Sequence, residues 1–336
     1  MIIYLPFEKT NKYTQLLFDK RIALLGFSIV GIFGVNKYFK LSYLLNTLVI
    51  SSVIAIFYNI FVNVGIQNFI SDAQRFDLFN DARKMYISSH MNFNFYLNIS
   101  IVAVWFLLTR TWQRIALWRK TLYFGALIII LSALAISEGR SGFLIALLLF
   151  SCFIFIEIWR FRRSLSIVIA MFIPLIIGFG ISQHERMSME MLKNEPRWFL
   201  WESGLDVIKQ SPIVGHGASN AQELFDISRE KFQTEDYKTQ WSFASHLDSH
   251  NQYIQTTMEF GVIGLLVLLF LIFSSYFLVD DVRKPMAFFI CMLIAYQSIF
   301  DMFLTGPFSL LYGILTLALL TIPHEFKKRE GAIKKQ

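Results

Sequence analysis

Charge is scarce in this chain: Asp, Glu, Lys and Arg supply 16% of its 336 residues, where a water-soluble domain carries about a quarter. That shortage speaks against a cytosolic enzyme and against a disordered protein. Cysteine is almost missing, and the two present, Cys152 and Cys291, lie inside long apolar runs. Neither a disulfide framework nor a cysteine-built metal site is therefore expected. The sequence also lacks a tandem repeat, a low-complexity tract, a Walker loop and an Asp-x-Asp pair that could hold a metal against a nucleotide diphosphate. A concentrated basic patch is absent too. The net charge is +7, but the bases stand singly at the ends of apolar runs, so nucleic acid is not an expected partner.

What fills the chain is apolar mass. Hydrophobic residues make up 55% of it, with 35 Phe and 7 Trp, and the mean hydropathy is +0.51. Such a surface would aggregate in water but suits lipid tails and headgroups. The chain thus reads as an all-α polytopic membrane protein. A spanning helix needs about 20 mostly apolar residues, and candidates fall at 41–65, 93–109, 121–137, 141–159, 164–183, 256–279, 285–303 and 306–322. The stretch 22–35 is a ninth, short candidate, which gives about eight or nine spans. The N-terminal apolar stretch begins late and has no small-x-small site, so no cleavable signal peptide is expected.

Lys and Arg in short loops set orientation. Arg110, Arg114, Arg119 and Lys120 share a side with Arg160, Arg162 and Arg163, with Arg283 and Lys284, and with Lys327, Lys328 and Arg329. That side is read as cytoplasmic, and the tail from His324 to Gln336 as a basic end near the inner headgroups. The turn at 137–141 and the long polar segment 183–255 then lie outside. That segment holds seven Lys and Arg against eleven Asp and Glu, so its net negative charge agrees with the assignment. Eight spans place Lys9, Lys12, Lys20 and Arg21 inside and nine place them outside; eight is preferred. The segment is too long for a plain connection. It carries Trp198, Trp201 and Trp241, a helix-like stretch over 197–210 with Phe199, Leu200, Leu205 and Ile208, and turn punctuation at Pro212, Gly215 and Gly217. Three parts follow: N-terminal helices 1–120, a core 121–279 that includes the external loop 183–255, and C-terminal helices with the tail, 280–336.

Three places could carry chemistry. Arg140, in Ser137-Glu138-Gly139-Arg140-Ser141-Gly142, breaks two apolar runs at the external boundary. A charge there either finds an anion or snorkels beside Glu138. Arg197 follows Pro196 at a helix start, and its guanidinium fork suits phosphate oxygens; pairing with Glu195 or Glu202 is the plainer role. The tryptophans nearby suit an interfacial anchor or a platform for sugar or prenyl groups. His250, in Asp248-Ser249-His250-Asn251, stands at the mouth of an apolar helix, where it can take a proton near neutral pH or simply cap the helix. His246 and His250 could share zinc, but the pattern lacks the Glu of His-Glu-x-x-His and a third ligand. His216, between Gly215 and Gly217, reads as a turn residue.

Together these places resemble the O-antigen ligase family, whose domain is shared with some O-antigen polymerases. The likeness covers roughly residues 120–275. His250-Asn251, followed after nine residues by Gly261-x-x-Gly264, is similar to the family's His-Asn/Ser/Gln-x9-Gly-x-x-Gly/Thr/Tyr. Arg197 with Trp201, Pro212, Gly215 and Gly217 is similar to its Arg-x-x-x-Trp and Pro-x-x-Gly-x-Gly. Arg140 matches an Arg after a short Ser-rich turn, with Gly139 where Ser is frequent. The chain is shorter than is usual for the family.

The resemblance implies a fold similar to lipid-donor C-type glycosyltransferases, placed in a bacterial inner membrane with the active site facing the periplasm. It implies a glycan moved from undecaprenyl diphosphate to an acceptor sugar, in ligases the lipid A-core, without metal, nucleotide or other cofactor. His250 would be the general base, Arg140 and Arg197 the diphosphate ligands, and Asn251, Gly261, Gly264 and Trp201 supporting residues. A Wzy-type polymerase, which adds the glycan to another lipid-linked repeat, is the alternative enzyme. A transporter or flippase is disfavoured because Glu157 and Asp301 are the main charges inside the spans.

Overall fold

The computed structural model describes residues 40–71, 90–111, 115–137, 140–164, 197–232, 248–302 and 313–316. Among them every regular element is helical: α1 (Leu41–Tyr58, running on as a π-helical turn Asn59–Val64), α2 (Ile66–Ser71), α3 (His90–Thr111), α4 (Leu117–Ile136), α5 (Arg140–Phe161), α6 (Arg197–Gln210), α7 (Ala218–Phe232), α8 (Gln252–Leu278) and α9 (Lys284–Phe300). Five of the helices are long and apolar enough to cross a membrane, and α9 is a shorter apolar one. The chain is a multi-pass membrane protein. The candidate spans 22–35 and 164–183, and 306–322 apart from the helical residues 313–316, lie outside the described residues, as do most of the N-terminal bases and His246.

Two compact units emerge. One comprises 40–189, the other 1–39 with 190–336. In the first, α3 is the central helix: Leu97, Val102 and Val104 are fully buried, while α1 and α4 present Ile50, Ile54, Leu122 and Ile128 outward. Outward-facing aliphatic side chains cost nothing in lipid, where no hydrophobic force drives helices together and buried polar contacts join them instead. Ser52 and Ser100 meet at 2.7 Å between α1 and α3. Tyr123 on α4 donates to Asn46 Oδ1 at 2.6 Å. Glu157 on α5, read from sequence as a charge within a span, accepts a 3.2 Å hydrogen bond from Trp105 Nε1, and the same indole stacks on Phe153 with centroids 4.4 Å apart.

The second unit combines a small core with a hairpin of two apolar helices. Phe199, Leu200 and Val207 of α6, Ala221 and Phe225 of α7 and Met258 of α8 form the core, with Trp201, Leu224 and Ile254 packed against it. Ser228 Oγ donates to Asp206 Oδ2 at 2.7 Å and ties α7 to α6. That bond, assisted by Lys231, holds the Asp206 carboxyl below its ordinary range.

Helix α8 starts earlier than hydropathy suggests, at Gln252 rather than 256. Its first two turns are polar by sequence yet buried: Gln252 donates to Thr256 Oγ1 and Gln255 to Glu259 Oε1, both at 3.0 Å. At Gly261 the helix breaks, with φ 65° and ψ −165°. Beyond the break Val262, Leu266, Phe270 and Phe277 face outward. The break is made by the turn 211–217, whose backbone pairs with it. His216 N–H donates to Met258 O at 3.0 Å and Gly217 N–H to Glu259 O at 2.9 Å, while Val262 N–H donates to Pro212 O at 2.8 Å. Such approach requires glycine. Gly215 has φ 72°, and a methyl there would stand 2.5 Å from the Glu259 carbonyl carbon; one at Gly261 would fall on the Ile213 carbonyl.

Candidate functional site

Helices α8 and α9 form a hairpin, closed at one end by Asp280, whose carboxylate takes Arg283 Nε at 2.9 Å and the terminal guanidinium nitrogen at 2.7 Å. An antiparallel pair closed there must bring the start of α8 and the end of α9 together at its open end. Tyr253 fixes that end by donating its hydroxyl to Ala295 O at 2.8 Å. Two candidate residues are gathered at the opening.

His250 immediately precedes α8 and has φ 44°, a left-handed conformation in a residue that is not glycine. Such backbone costs of order 1–3 kcal/mol and persists only where its surroundings enforce it. Here they do so from both sides. Asp248 Oδ1 accepts the His250 backbone N–H at 3.0 Å and lies 3.6 Å from Nδ1. Asn251, on the other side, is the N-cap of α8: its Oδ1 accepts the Ile254 N–H at 3.0 Å. Buried Ser249 donates to Asn251 O at 2.9 Å. The imidazole is thus presented at the mouth of the helix, partly open, with 25% of the side chain exposed. Capping belongs to Asn251 and not to His250.

Arg197 is the first residue of α6, which spans 197–210 as the apolar pattern predicts. Its guanidinium lies over the ring of Phe300, 5.8 Å from the centroid, at the C-terminal end of α9, where a helix dipole favours a cation. Trp201 follows one turn later and meets Trp198 edge-on, with centroids 5.1 Å apart. Trp198 is half exposed.

Asp301 completes the group, and sequence reasoning missed this role. It was read as a charge inside a span at 285–303, but α9 ends at Phe300 and Asp301 caps its C-terminus. Its Oδ1 accepts the Met302 N–H at 2.8 Å. Burial pushes the carboxyl above its ordinary range; the Met302 bond and the charges of His250 and Arg197 pull it down, and Asp248 pushes it up. Asp301 therefore lies within electrostatic reach of both His250 and Arg197. A single acid directly after an apolar helix, in a hairpin whose other end carries the histidine, was the available signal.

The other sequence candidates fall as follows. Gly261 is the break in α8, and Gly264 packs one turn later, where a methyl would stand 3.3 Å from Phe260 Cγ. His216 is the turn residue expected of it: its Nε2–H donates to Val207 O at 3.0 Å. Arg140 is the first residue of α5 in the unit 40–189. Among the described residues no three His, Cys, Asp or Glu side chains gather in a metal-binding set.

Residues 124–269 match the family model described as O-antigen ligase, a stretch that contains Arg140, Arg197 and His250 but ends before Asp301. A protein of Rickettsia typhi, provisionally named a polysaccharide ligase, is 26% identical over 164 residues, covering 46% of this chain and 40% of its own length. An uncharacterized protein of Haemophilus influenzae is 32% identical over 81 residues, 24% of this chain and 19% of its own. The matches thus span less than half the length of either relative. No solved structure matches.

Proposed function

We propose, from the match of residues 124–269 to the O-antigen ligase family model, that this chain is a membrane glycosyltransferase that moves a glycan from undecaprenyl diphosphate to an acceptor sugar at the periplasmic face, as an O-antigen ligase acting on lipid A-core. One observation carries the reading: a histidine held in a left-handed conformation, an arginine at a helix start and a buried aspartate are gathered at the open end of one hairpin. His250 takes the proton of the acceptor hydroxyl, whose oxygen attacks the anomeric carbon of the donor. The bond from that carbon to the diphosphate oxygen breaks, and the electron pair leaves with undecaprenyl diphosphate. Arg197 and Arg140 neutralise the charge that grows on the leaving group. Asp301 orients the imidazole and favours its protonated form once the proton has moved. The Trp198–Trp201 corner, one turn from Arg197, offers an indole face to a pyranose. No step calls for a metal or a nucleotide.

The test uses purified full-length protein with an undecaprenyl diphosphate-linked glycan and lipid A-core in chelator. Product should form, and His250→Ala should lose about 10²–10⁴-fold in rate while still binding donor. Transfer at the normal rate by His250→Ala would remove the proposal. Extension of lipid-linked repeats without attachment to lipid A-core would identify a polymerase instead.

A further inference from the structure

The diphosphate reading of Arg140 raises the question of what holds the start of α5 still. Within the unit 40–189, the first turn of that helix lies against two asparagines of α3. Asn94 and Asn98 are 3% and 1% exposed, and burying an amide in a membrane helix is costly unless it is bonded. Asn98 Nδ2 donates to Asn94 O at 2.9 Å and, across to the next helix, to Gly142 O at 3.0 Å. Both partners are carbonyls, so the orientation of the amide is fixed: the nitrogen must face them. Gly142 stands two residues after Arg140, and its backbone approaches α3 so closely that a methyl there would lie 2.6 Å from Asn94 Cβ. An isosteric leucine at 98 would fill the same space without the bond.

We infer that Asn98 is a positioning residue for Arg140: it pins the first turn of α5 to α3, and so fixes the stretch of backbone that carries Arg140. The inference rests on the proposed role of Arg140. Ser100 supplies a matched control. It lies half a turn further along α3 and makes its own buried interhelical bond, to Ser52 at 2.7 Å, its other bonds going to the Leu48 and Tyr96 carbonyls rather than to α5.

The experiment compares Asn98→Leu, Gly142→Ala and Ser100→Ala in the full-length protein, by hydrogen exchange over 140–148 and by inhibition of transfer with inorganic pyrophosphate. Asn98→Leu should speed exchange over 140–148 and raise the donor KM and the pyrophosphate inhibition constant together, roughly 3- to 30-fold. Gly142→Ala, which pushes the turn away without altering α3, should do the same if Asn98→Leu folds poorly. Ser100→Ala should move neither reading. In an Arg140→Ala background Asn98→Leu should change the inhibition constant by less than about twofold, because both act through one group. Unchanged exchange over 140–148 in Asn98→Leu, or an effect that multiplies with that of Arg140→Ala, overturns the inference. Faster exchange combined with an Arg140→Ala variant that pyrophosphate inhibits normally would instead sink the diphosphate role of Arg140 and leave the pinning intact.

Discussion

Replacing Gly215 by alanine tests the joint between the small core and the hairpin. The residue has φ 72°, and the added methyl would lie 2.5 Å from Glu259 C and Phe260 N and 2.6 Å from Glu259 O. These are backbone atoms, which cannot swing aside as a side-chain tip can. A left-handed L-residue costs about 1–2 kcal/mol, and forced overpacking about 1–3 kcal/mol more. Relief by separation would forfeit the bonds from His216 and Gly217 to Met258 and Glu259, at about 1 kcal/mol each. Either way the total, about 2–5 kcal/mol, is a large share of the 5–15 kcal/mol by which domains are stable. In detergent, followed by tryptophan fluorescence, Gly215→Ala should melt roughly 10 °C below the parent and lose transfer, because the turn links α6 to α8. The parallel change Gly125→Ala, where a methyl meets nothing within 4 Å, should leave the midpoint unchanged or slightly raised. A Gly215→Ala midpoint within about 1 °C of the parent would refute the interlock.

Arg197→Lys keeps the charge but loses the fork, so transfer should fall about 10- to 100-fold in a steady-state assay, with little change in melting. Asn251→Ala removes the cap of α8 and should cost about 1 kcal/mol in thermal unfolding, while Asn251→Asp should restore it. For Asp301 the sign follows from a carboxyl raised in the folded chain. The folded state there holds its proton to higher pH than the unfolded state does, so stability is lost as pH rises through the window between the ordinary and the raised value. Asp301→Asn should abolish that loss, melting no lower than the parent above the window, yet should transfer poorly; a decline with pH equal to the parent's would show that Asp301 is not its source.

Hydropathy made the helices of the unit 40–189 legible, because each run of apolar residues must satisfy its own backbone in lipid and has only one regular way to do so. Helix α6 was equally plain, since its period matches one buried face from Phe199 to Val207. The start of α8 was not. Gln252 and Gln255 fall before the candidate span 256–279 because of their polarity, and only their bonds to Thr256 and Glu259 and the cover given by α6 and α7 make them helical and buried. Among the site residues, His250 and Arg197 stood out because a titratable or forked side chain at the end of an apolar run has few plain uses. The proximity of His250 to Asp301 could not be read, because it arises from hairpin closure between residues 51 positions apart, and the left-handed backbone of His250 depends on the local bonds of Asp248 and Asn251. The glycines of the turn and of α8 were visible as punctuation, but not as one interlock.

The salt-bridged bend at Asp280–Arg283 acts as a gauge for the arrangement at the far end of the hairpin. Helix α9 has 17 residues, about 26 Å of rise, and each residue turns its successor by about 100°. A one-residue slip at that bend would carry Asp301 to another azimuth while leaving every side chain of the cluster at His250 chemically intact. Substitutions at Asp280 or Arg283 can therefore disturb that cluster by misregistration alone, without touching it.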